Sequence, residues 1–189
     1  WEIYTAFSNE LKPLYEPIDR GNRLYFAGRR EQNPSKPMPS DANSTMRMSY
    51  GTIKGYSPAD AVEYDYFTTS RGILEKNNPE STEFNVFPSF LELIKKGDWG
   101  RWADKKDGKL HVAFISTNDI TGGNSGSPVF DKNGRVFGLA FDGNWEAMSG
   151  DIEFEPNLQR TIVVDIRYVL FTIDKWGKCS RLIDEMTIK

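Results

Sequence analysis

The chain begins with a helical pattern of apolar residues. Within residues 16–32, the side chains of Ile18, Tyr25 and Phe26 partly line one side of a helical repeat. Pro17 suits the first turn of such a helix, because the N–H group that proline lacks has no partner in that turn. We therefore expect a helix over this stretch.

A proline-rich stretch separates this helix from a region with a different pattern. Residues 34–44 contain three prolines, each of which fixes the backbone and removes a hydrogen-bond donor. Such a stretch favours neither a helix nor a central strand. We expect a helical part in residues 1–33, a linker in residues 34–44 and a separate domain in residues 45–189.

Beyond the linker, apolar and polar residues alternate in short runs, which is typical of β-strands. These runs are residues 45–56, 63–73, 109–117, 127–142 and 160–166. The run over residues 127–142 is interrupted by Asn133 and Gly134, a pair that readily adopts the positive φ of a tight hairpin turn. The pattern predicts a mainly β domain.

Two helical patterns lie between the strands. Residues 88–97 begin with proline and end with glycine, as many helices do. In residues 165–178 apolar side chains recur at helical spacing, with Asp165 placed to cap the first turn and Gly177 to end the last. We expect this second helix to support the core, because its apolar residues share one face.

Composition narrows the class of protein. The 189 residues are 38% hydrophobic and 27% charged, which suits a globular protein with a core. A formal net charge of −3 gives no reason to expect nucleic acid or an acidic membrane as a partner. No apolar run is long enough to span a bilayer. Cys179 is the single cysteine, so no internal disulfide can form.

The sequence also indicates which metals and cofactors to expect. No histidine and cysteine cluster has the spacing of metal ligands, and no glycine pattern of nucleotide-binding loops appears, so we expect neither a metal nor a cofactor. The first residue is Trp1 rather than Met, and no signal-peptide pattern follows. We therefore expect the chain to begin after processing or within a longer gene product.

The run that most clearly indicates a catalytic function is GGNSGSPV, residues 122–129. It lies between a predicted strand and the predicted hairpin. A glycine-rich turn of this kind is also ordinary loop sequence. Gly123, however, allows the backbone to aim N–H groups at one point, as an oxyanion hole requires, and Gly126 allows another chain to approach closely. We interpret Ser125 as a candidate nucleophile, with the amides of Gly123 and Ser125 as the candidate oxyanion hole.

This run resembles the Gly-(Asp/Asn)-Ser-Gly-(Gly/Ser)-Pro motif of the chymotrypsin-like serine peptidases. Together with GLAFDGNWE at residues 138–146, it is similar more narrowly to the bacterial dipeptidyl-peptidases of serine peptidase family forty-six. The resemblance extends from about Pro17 onward. It implies that residues 1–33 end an inserted helical domain, and that residues 45–189 form the second of two chymotrypsin-like β-barrels with a C-terminal helix.

A serine hydroxyl needs a general base within hydrogen-bond reach to act as a nucleophile. His111 is the single histidine, and it lies in a predicted strand 14 positions before Ser125. A lone histidine in a strand is usually structural, and the resemblance implies that the base and its aspartate come from the other barrel. We therefore expect the chain to carry the nucleophile without its base and to be inactive alone.

Two neighbouring residues carry the substrate prediction. Asp142 offers a carboxylate to anchor the α-ammonium group of a peptide, a role that the resemblance supports. The resemblance also implies that Gly143 stands where relatives that cleave after acidic residues have an arginine, so we expect an apolar or aromatic P1 residue. Asp119 keeps open a trypsin-like preference for a basic P1 residue. Trp145 is expected to pack its loop onto the barrel.

The predicted function is that of a serine dipeptidyl-peptidase, which releases dipeptides from the free amino terminus of peptide substrates through an acyl-enzyme on Ser125. For the full-length protein, the resemblance implies a periplasmic or secreted location and a homodimer. The alternatives are a non-catalytic peptide-binding or assembly module on the same barrel, and an endopeptidase with a trypsin-like preference.

Overall fold

The computed structural model describes residues 1–36, 45–150 and 152–189. The chain divides into two compact units, Trp1–Ser40 and Asp41–Lys189. Most of the predicted linker, residues 37–44, lies outside the described residues. Within the described part of the chain, no helix combines the length and the apolar character needed to cross a membrane.

The first unit consists mainly of one long helix, α1 (Glu2–Gln32). Pro13 and Pro17 both lie inside this helix, so the expectation that Pro17 occupies its first turn was wrong. A proline inside a helix removes one backbone hydrogen bond, and the helix-forming residues on both sides outweigh that loss. The apolar side predicted from the sequence is largely exposed, as Ile18 and Tyr25 show.

The second unit is built on antiparallel strands. They are β1 (Tyr56–Ala59), β2 (Val62–Tyr64), β3 (Phe67–Thr69), β4 (His111–Ser116), β5 (Pro128–Phe130), β6 (Val136–Gly143) and β7 (Thr161–Asp165). β1 and β2 form a hairpin, and the others form a five-stranded sheet in the order β3-β4-β7-β6-β5. The predicted strands over residues 109–117 and 160–166 and the predicted hairpin over residues 127–142 are confirmed. Gly134 in the hairpin turn has φ 74°.

Two predicted strand runs differ in the structure. Residues 45–55 contain no strand among those described, and they contact the sheet through an isolated bridge between Ile53 and Ser116. The run over residues 63–73 divides among β2, β3 and a helix, α2 (Ser70–Lys76). Alternation does not distinguish a paired strand from an extended segment, because pairing depends on the chain that lies alongside.

The helices of this unit are α2, α3 (Pro88–Lys96), α4 (Ile166–Phe171) and α5 (Ser180–Asp184). Gly97 ends α3 in the left-handed conformation, with φ 67°. At the start of α4 the Asp165 carboxylate accepts the backbone N–H of Arg167 at 2.9 Å, so the predicted cap is confirmed. The helix continues as a π-helical turn, Thr172–Trp176.

The main apolar core lies between α3, α4 and the start of β4. Its buried members are Phe90, Ile94, Trp102, Leu110, Leu170, Phe171 and Ile183. The buried indole N–H of Trp102 donates to Asp174 Oδ2 at 2.9 Å. The helix predicted over residues 165–178 therefore does support the core. The core holds one end of β4, and the loop that carries Ser125 leaves from the other end.

The balance of helix and strand differs from the predicted mainly β class. α1 alone takes 31 residues, and the described chain contains more helix than strand. The second half of α1 agrees with the helix predicted over residues 16–32, whereas its first half escaped prediction because of its prolines. The prediction agrees in part with the second unit, where an antiparallel sheet with a helix near the C-terminus forms the framework of the site.

Candidate active site

Ser125 is exposed in the loop that joins β4 to β5. The loop turns sharply on both sides of the serine. Gly123 has φ 96° and Gly126 has φ 81°, angles that residues with side chains rarely adopt. The two glycines of the sequence motif therefore stand at the positions where the backbone favours glycine.

The backbone N–H groups around Ser125 differ in whether they are hydrogen-bonded within the chain. Those of Asn124, Gly126 and Ser127 each donate to a backbone carbonyl at 2.7–3.2 Å. Among the described residues, the N–H groups of Gly123 and Ser125 have no acceptor. Two donors, one on each side of Asn124, are thus available to an acceptor from outside the chain.

The serine hydroxyl lies against β6. Ser125 Oγ donates to the backbone carbonyl oxygen of Phe141 at 3.4 Å. Two shorter backbone bonds hold the loop to the same strand: Gly126 N–H donates to the Ala140 carbonyl at 2.7 Å, and Ala140 N–H donates to the Ser127 carbonyl at 2.9 Å. The position of Ser125 is therefore fixed relative to β6.

A cavity of about 360 Å³ opens beside Ser125, within the size range of pockets that hold small ligands. Its wall includes Asp119, Phe141, Asp142, Gly143, Met148 and Phe154. Phe141, Met148 and Phe154 contribute apolar surface. Asp142 and Gly143, the two residues singled out for substrate binding, thus lie with Ser125 around one cavity.

β6 contains a bulge at Phe141. Ala140 and Asp142 pair with consecutive residues of β7, so Phe141 is an additional residue on its strand. The exposed Asp142 accepts the Gly143 N–H at its Oδ1, at 2.8 Å. Its Oδ2 has no hydrogen-bond partner in the described part of the chain, so a carboxylate oxygen remains available beside the cavity.

Gly143 lies close to a short 3-10 helix, Trp145–Ser149. A Cβ atom at position 143 would lie 2.9 Å from the Cβ of Ala147, closer than carbon atoms pack. A larger residue would therefore require the 3-10 helix to shift. Trp145 is 84% exposed, so the expectation that it packs its loop onto the barrel was wrong.

A buried arginine forms part of the cavity wall, and sequence reasoning missed it. Arg160 is 3% exposed. Its guanidinium donates to the backbone carbonyls of Lys54, Gly55, Pro156, Asn157 and Gln159 at 2.7–3.2 Å. Burial lowers the pKa of Arg160. Because these carbonyls come from separate segments, no local sequence signal identifies this site.

Asn144 joins β6 to the start of β7. Its backbone N–H donates to the Arg160 carbonyl at 2.9 Å, and its Oδ1 accepts the Arg160 N–H at 2.8 Å. Its Nδ2 donates to Glu146 Oε2 and to the Leu158 carbonyl, both at 2.8 Å. Glu146 also accepts the Tyr56 hydroxyl at 2.9 Å. This network fixes the backbone just after Asp142 and Gly143.

Comparison with known proteins assigns the chain to a family. Residues 3–188 match the family Peptidase S46. The chain is 66% identical over 171 residues to Dipeptidyl-peptidase 7 of Porphyromonas gingivalis, a match that covers 90% of this chain and 24% of that protein. The chain belongs to the peptidase S46 family. Its identity to the Asp/Glu-specific dipeptidyl-peptidase of the same organism is 49% over 188 residues, or 100% of this chain and 26% of that protein.

Solved S46 structures have the same fold. The crystal structure of Porphyromonas endodontalis DPP11 in complex with the dipeptide Arg-Asp matches with a TM-score of 0.85 at 42% identity. That match covers 98% of this chain and 26% of the other. The chain thus spans about a quarter of the length of the S46 relatives that it matches.

His111 has a structural environment in this S46 chain. It is 6% exposed, its Nε2 lies 3.0 Å from Asp107 Oδ2, and its ring stacks on Phe67 at 4.1 Å between centroids. It begins β4, five residues before Ser116, so it lies on the order of 15 Å along the strand from the loop of Ser125. This supports the structural interpretation of His111.

An acidic pair lies beside His111. Asp104, Asp107 and His111 bring potential ligand atoms within 4.8 Å of one another. Arg167 already donates to Asp104 Oδ2 at 2.6 Å, and its Nη2 lies 3.5 Å from His111 Nδ1. The Arg167 hydrogen bond lowers the pKa of Asp104 to about 2. The Arg167 guanidinium, which also pairs with Asp165 at 2.6 Å, thus already provides a positive charge beside this cluster, which behaves as an ion-pair network of the fold.

Proposed function

We propose that this chain carries the nucleophile of a serine dipeptidyl-peptidase, and that the nucleophile is Ser125. The observation that carries the proposal is the exposed Ser125 hydroxyl at a cavity mouth, beside two N–H groups without acceptors in the described chain. Acyl transfer needs this combination, because the attacking oxygen and the donors that stabilise the developing oxyanion must lie together.

The proposed reaction follows acyl-enzyme chemistry. Ser125 Oγ attacks the carbonyl carbon of the scissile bond while a general base removes its proton, and the amides of Gly123 and Ser125 hold the oxyanion. The base then protonates the leaving amine, and water hydrolyses the acyl-enzyme. His111 is engaged with Asp107 at the far end of β4. The base and its orienting acid therefore come from outside this chain, which is inactive by itself.

Asp142 is proposed to bind the substrate's free amino terminus. A dipeptidyl-peptidase must measure two residues from that terminus, and a carboxylate pairs well with an α-ammonium group. The exposed Asp142 keeps Oδ2 without a partner in the described chain, while its Oδ1 is fixed by the Gly143 N–H. One oxygen thus orients the side chain and the other remains for the ligand.

The cavity is proposed to take an apolar or aromatic P1 side chain. Gly143 contributes no cation. Arg160 belongs to the wall, but its guanidinium is buried and bonded to backbone carbonyls, so it offers no pairing to a P1 carboxylate. An acidic P1 group would lose water without gaining a partner, whereas an apolar group would contact Met148 and Phe154.

The proposal extends to the whole protein. The chain would be the C-terminal part of a longer S46 peptidase, with residues 1–33 ending an inserted helical domain, residues 34–44 as linker and residues 45–189 forming the second chymotrypsin-like barrel. The full-length enzyme would act as a homodimer in the periplasm or outside the cell. It would act on peptides, with neither a metal nor a cofactor.

A fluorophosphonate probe tests the nucleophile. We expect the full-length protein to be labelled and its Ser125→Ala variant to be unlabelled, with Ser127→Ala as a control that keeps its label. Full-length protein that remains unlabelled under conditions where it is folded would overturn the proposal and favour a non-catalytic module. Dipeptidyl substrates ending in Phe, Glu and Arg then test the P1 preference, and the expected order places Phe first.

A further inference from the structure

We propose that Arg47 is a positioning residue for the loop that carries Ser125. This inference rests on the proposed function, because it assigns Arg47 the task of holding the nucleophile and its neighbouring amides in place. Arg47 is far from Ser125 in sequence and does not belong to the cavity wall.

The two ends of the Arg47 guanidinium bind two points of the loop. Nη1 donates to Thr121 Oγ1 and Nη2 donates to Asn124 Oδ1, both at 2.9 Å. Asn124 directly precedes Ser125, so one of the two bonds reaches the residue next to the nucleophile. A planar guanidinium suits this task, because its two outer nitrogens are held at a fixed separation.

The same Asn124 side chain also closes the loop on itself. Its Oδ1 accepts the Thr121 N–H at 3.2 Å, and the Asn124 N–H donates to the Thr121 carbonyl at 3.2 Å. Arg47, Thr121 and Asn124 therefore form one connected set of hydrogen bonds. This set encloses Gly122 and Gly123, the residues with the greatest backbone freedom in the loop.

Arg47 is held in place by the extended segment that follows it, which is made of residues 48–53. This segment runs beside the end of β4: Ile53 bridges to Ser116, and Thr117 N–H donates to the Thr52 carbonyl at 2.9 Å. A Cβ atom on Gly51 would lie 2.7 Å from the backbone nitrogen of Asn118, so only glycine permits this approach.

The exposure of alternate residues agrees with this arrangement. Met46 and Met48 are 95% and 83% exposed, whereas Arg47 between them is half-buried. In an extended chain, successive side chains point to opposite sides. Arg47 thus lies on the side that faces the loop, which accounts for its contacts with Thr121 and Asn124.

Loss of Arg47 would leave the glycine pair without its external restraint. The amides of Gly123 and Ser125 would then sample more orientations, and small displacements of catalytic groups reduce rates by large factors. Substrate binding at Asp142 would be affected much less, because Asp142 belongs to β6, and the restrained loop contributes Thr121 and Gly122 to a cavity wall made mostly of residues outside it. The expected signature is a lower kcat at nearly unchanged KM.

The test uses the full-length protein with three substitutions: Arg47→Ala, Arg47→Lys and, as a matched control, Arg71→Ala. Arg71 is exposed on α2 and pairs with Glu75 within the same helix, remote in sequence from the loop. The measurements are kcat and KM on a dipeptidyl substrate, hydrogen exchange of the Thr121 and Asn124 amides and the melting temperature.

For Arg47→Ala we expect kcat to fall at least tenfold with KM within threefold, and the hydrogen-bonded amides of Thr121 and Asn124 to exchange at least tenfold faster. Arg47→Lys should recover part of the kcat, since one donor can still reach the loop. Arg71→Ala should match the native protein in kcat, in KM and in hydrogen exchange of the loop. If Arg47→Ala fails to fold, the same comparison of kcat and exchange is made with Arg47→Lys, for which intermediate losses are expected.

Two results would overturn the inference. One is exchange of the Thr121 and Asn124 amides at the native rate in a folded Arg47 variant, and the other is a kcat within twofold of native. Hydrogen exchange needs no peptidase activity, so it separates this inference from the proposed function. Native protein without fluorophosphonate labelling contradicts the nucleophile, whereas labelled protein with unchanged exchange contradicts Arg47 alone.

Discussion

The hydroxyl of Ser125 lies 3.4 Å from the carbonyl oxygen of Phe141, the additional residue of the β6 bulge. The proposed nucleophile is therefore positioned against the strand that also presents Asp142 and Gly143. A substrate that binds along this strand would place its scissile carbonyl at a distance from Asp142 set by the backbone of β6. This relationship underlies the predictions for Asp142 and Gly143.

Replacing Asp142 tests the amino-terminal anchor. For Asp142→Asn in the full-length protein we expect kcat/KM on a substrate with a free amino terminus to fall about 100-fold, the size expected for a charged hydrogen bond of about 2–3 kcal/mol. The amide oxygen can still accept the Gly143 N–H, so the fold should be retained. Asp184→Asn, at an exposed position on α5, is the control. Unchanged kcat/KM in Asp142→Asn would remove Asp142 from substrate binding.

Replacing Gly143 tests the cavity and its limits. Gly143→Arg by itself should lower kcat/KM for an apolar P1 residue at least tenfold, because its Cβ would lie 2.9 Å from that of Ala147. Adding Ala147→Gly removes this contact, so the double variant should gain cleavage after Asp or Glu. Ala147→Gly alone serves as the control and should keep its apolar preference. A double variant without any activity on acidic P1 residues would show that position 143 does not face the P1 side chain.

Replacing Asn144 tests the network behind the cavity. Asn144→Ala removes two donors and one acceptor from a buried site, and we expect a loss of about 2–3 kcal/mol in the free energy of unfolding. Urea denaturation of the chain measures this loss. The exposed Asn157 provides the comparison, since Asn157→Ala should change stability by less than about 0.5 kcal/mol. Equal losses in the two variants would mean that the network does not stabilise the fold.

The Asp104–Arg167 pair predicts how stability depends on pH. The Arg167 hydrogen bond lowers the pKa of Asp104 from 3.8 to about 2 in the folded chain. The pKa of Asp104 is lower in the folded chain than in the unfolded chain. The pair therefore stabilises the fold above about pH 4, and this contribution is lost as the pH falls towards 2. Asp104→Asn should therefore cost about 1–2 kcal/mol at pH 7 and progressively less in acid.

Thermal unfolding of the chain between pH 7 and pH 2 checks this prediction. Asp98→Asn is the control, because the Asp98 side chain is 73% exposed and lies 3.6 Å from Lys175. The curves of native chain and Asp104→Asn should converge as the pH falls, while Asp98→Asn should follow the native curve throughout. A constant gap between native chain and Asp104→Asn would contradict the assignment to ionisation of Asp104.

The sequence predicted those parts of the fold whose signals are local. The strands β4 and β7, the β5–β6 hairpin and the Asp165 cap follow from alternation, from Asn133-Gly134 and from a capping residue beside an apolar repeat. The second half of α1 followed from its apolar repeat, but the first half did not, because Pro13 and Pro17 usually mark a helix boundary. Residues 45–55 alternate like a strand, yet their backbone pairs with β4 through one isolated bridge at Ile53.

For the candidate site, too, only the residues that stand in short sequence motifs could be predicted. Ser125, Gly123, Asp142 and Gly143 stand in short motifs, so they could be named before the fold was known, and the structure brings the last two to the cavity of Ser125. Arg160 and Arg47 could not be identified, because each binds groups that lie far apart in sequence. Long-range hydrogen bonds of this kind leave no periodicity along the chain.

The bulge at Phe141 makes the length of β6 as important as its composition. Deleting that one residue would leave Asp142 and Gly143 paired with Ile162 and Thr161, but it would remove the local bend of the strand and the carbonyl that accepts the Ser125 hydroxyl. Asp142 and Gly143 would then lie differently relative to Ser125 without either being mutated. Homologues that vary freely in sequence along β6 should therefore tolerate almost no insertion or deletion there.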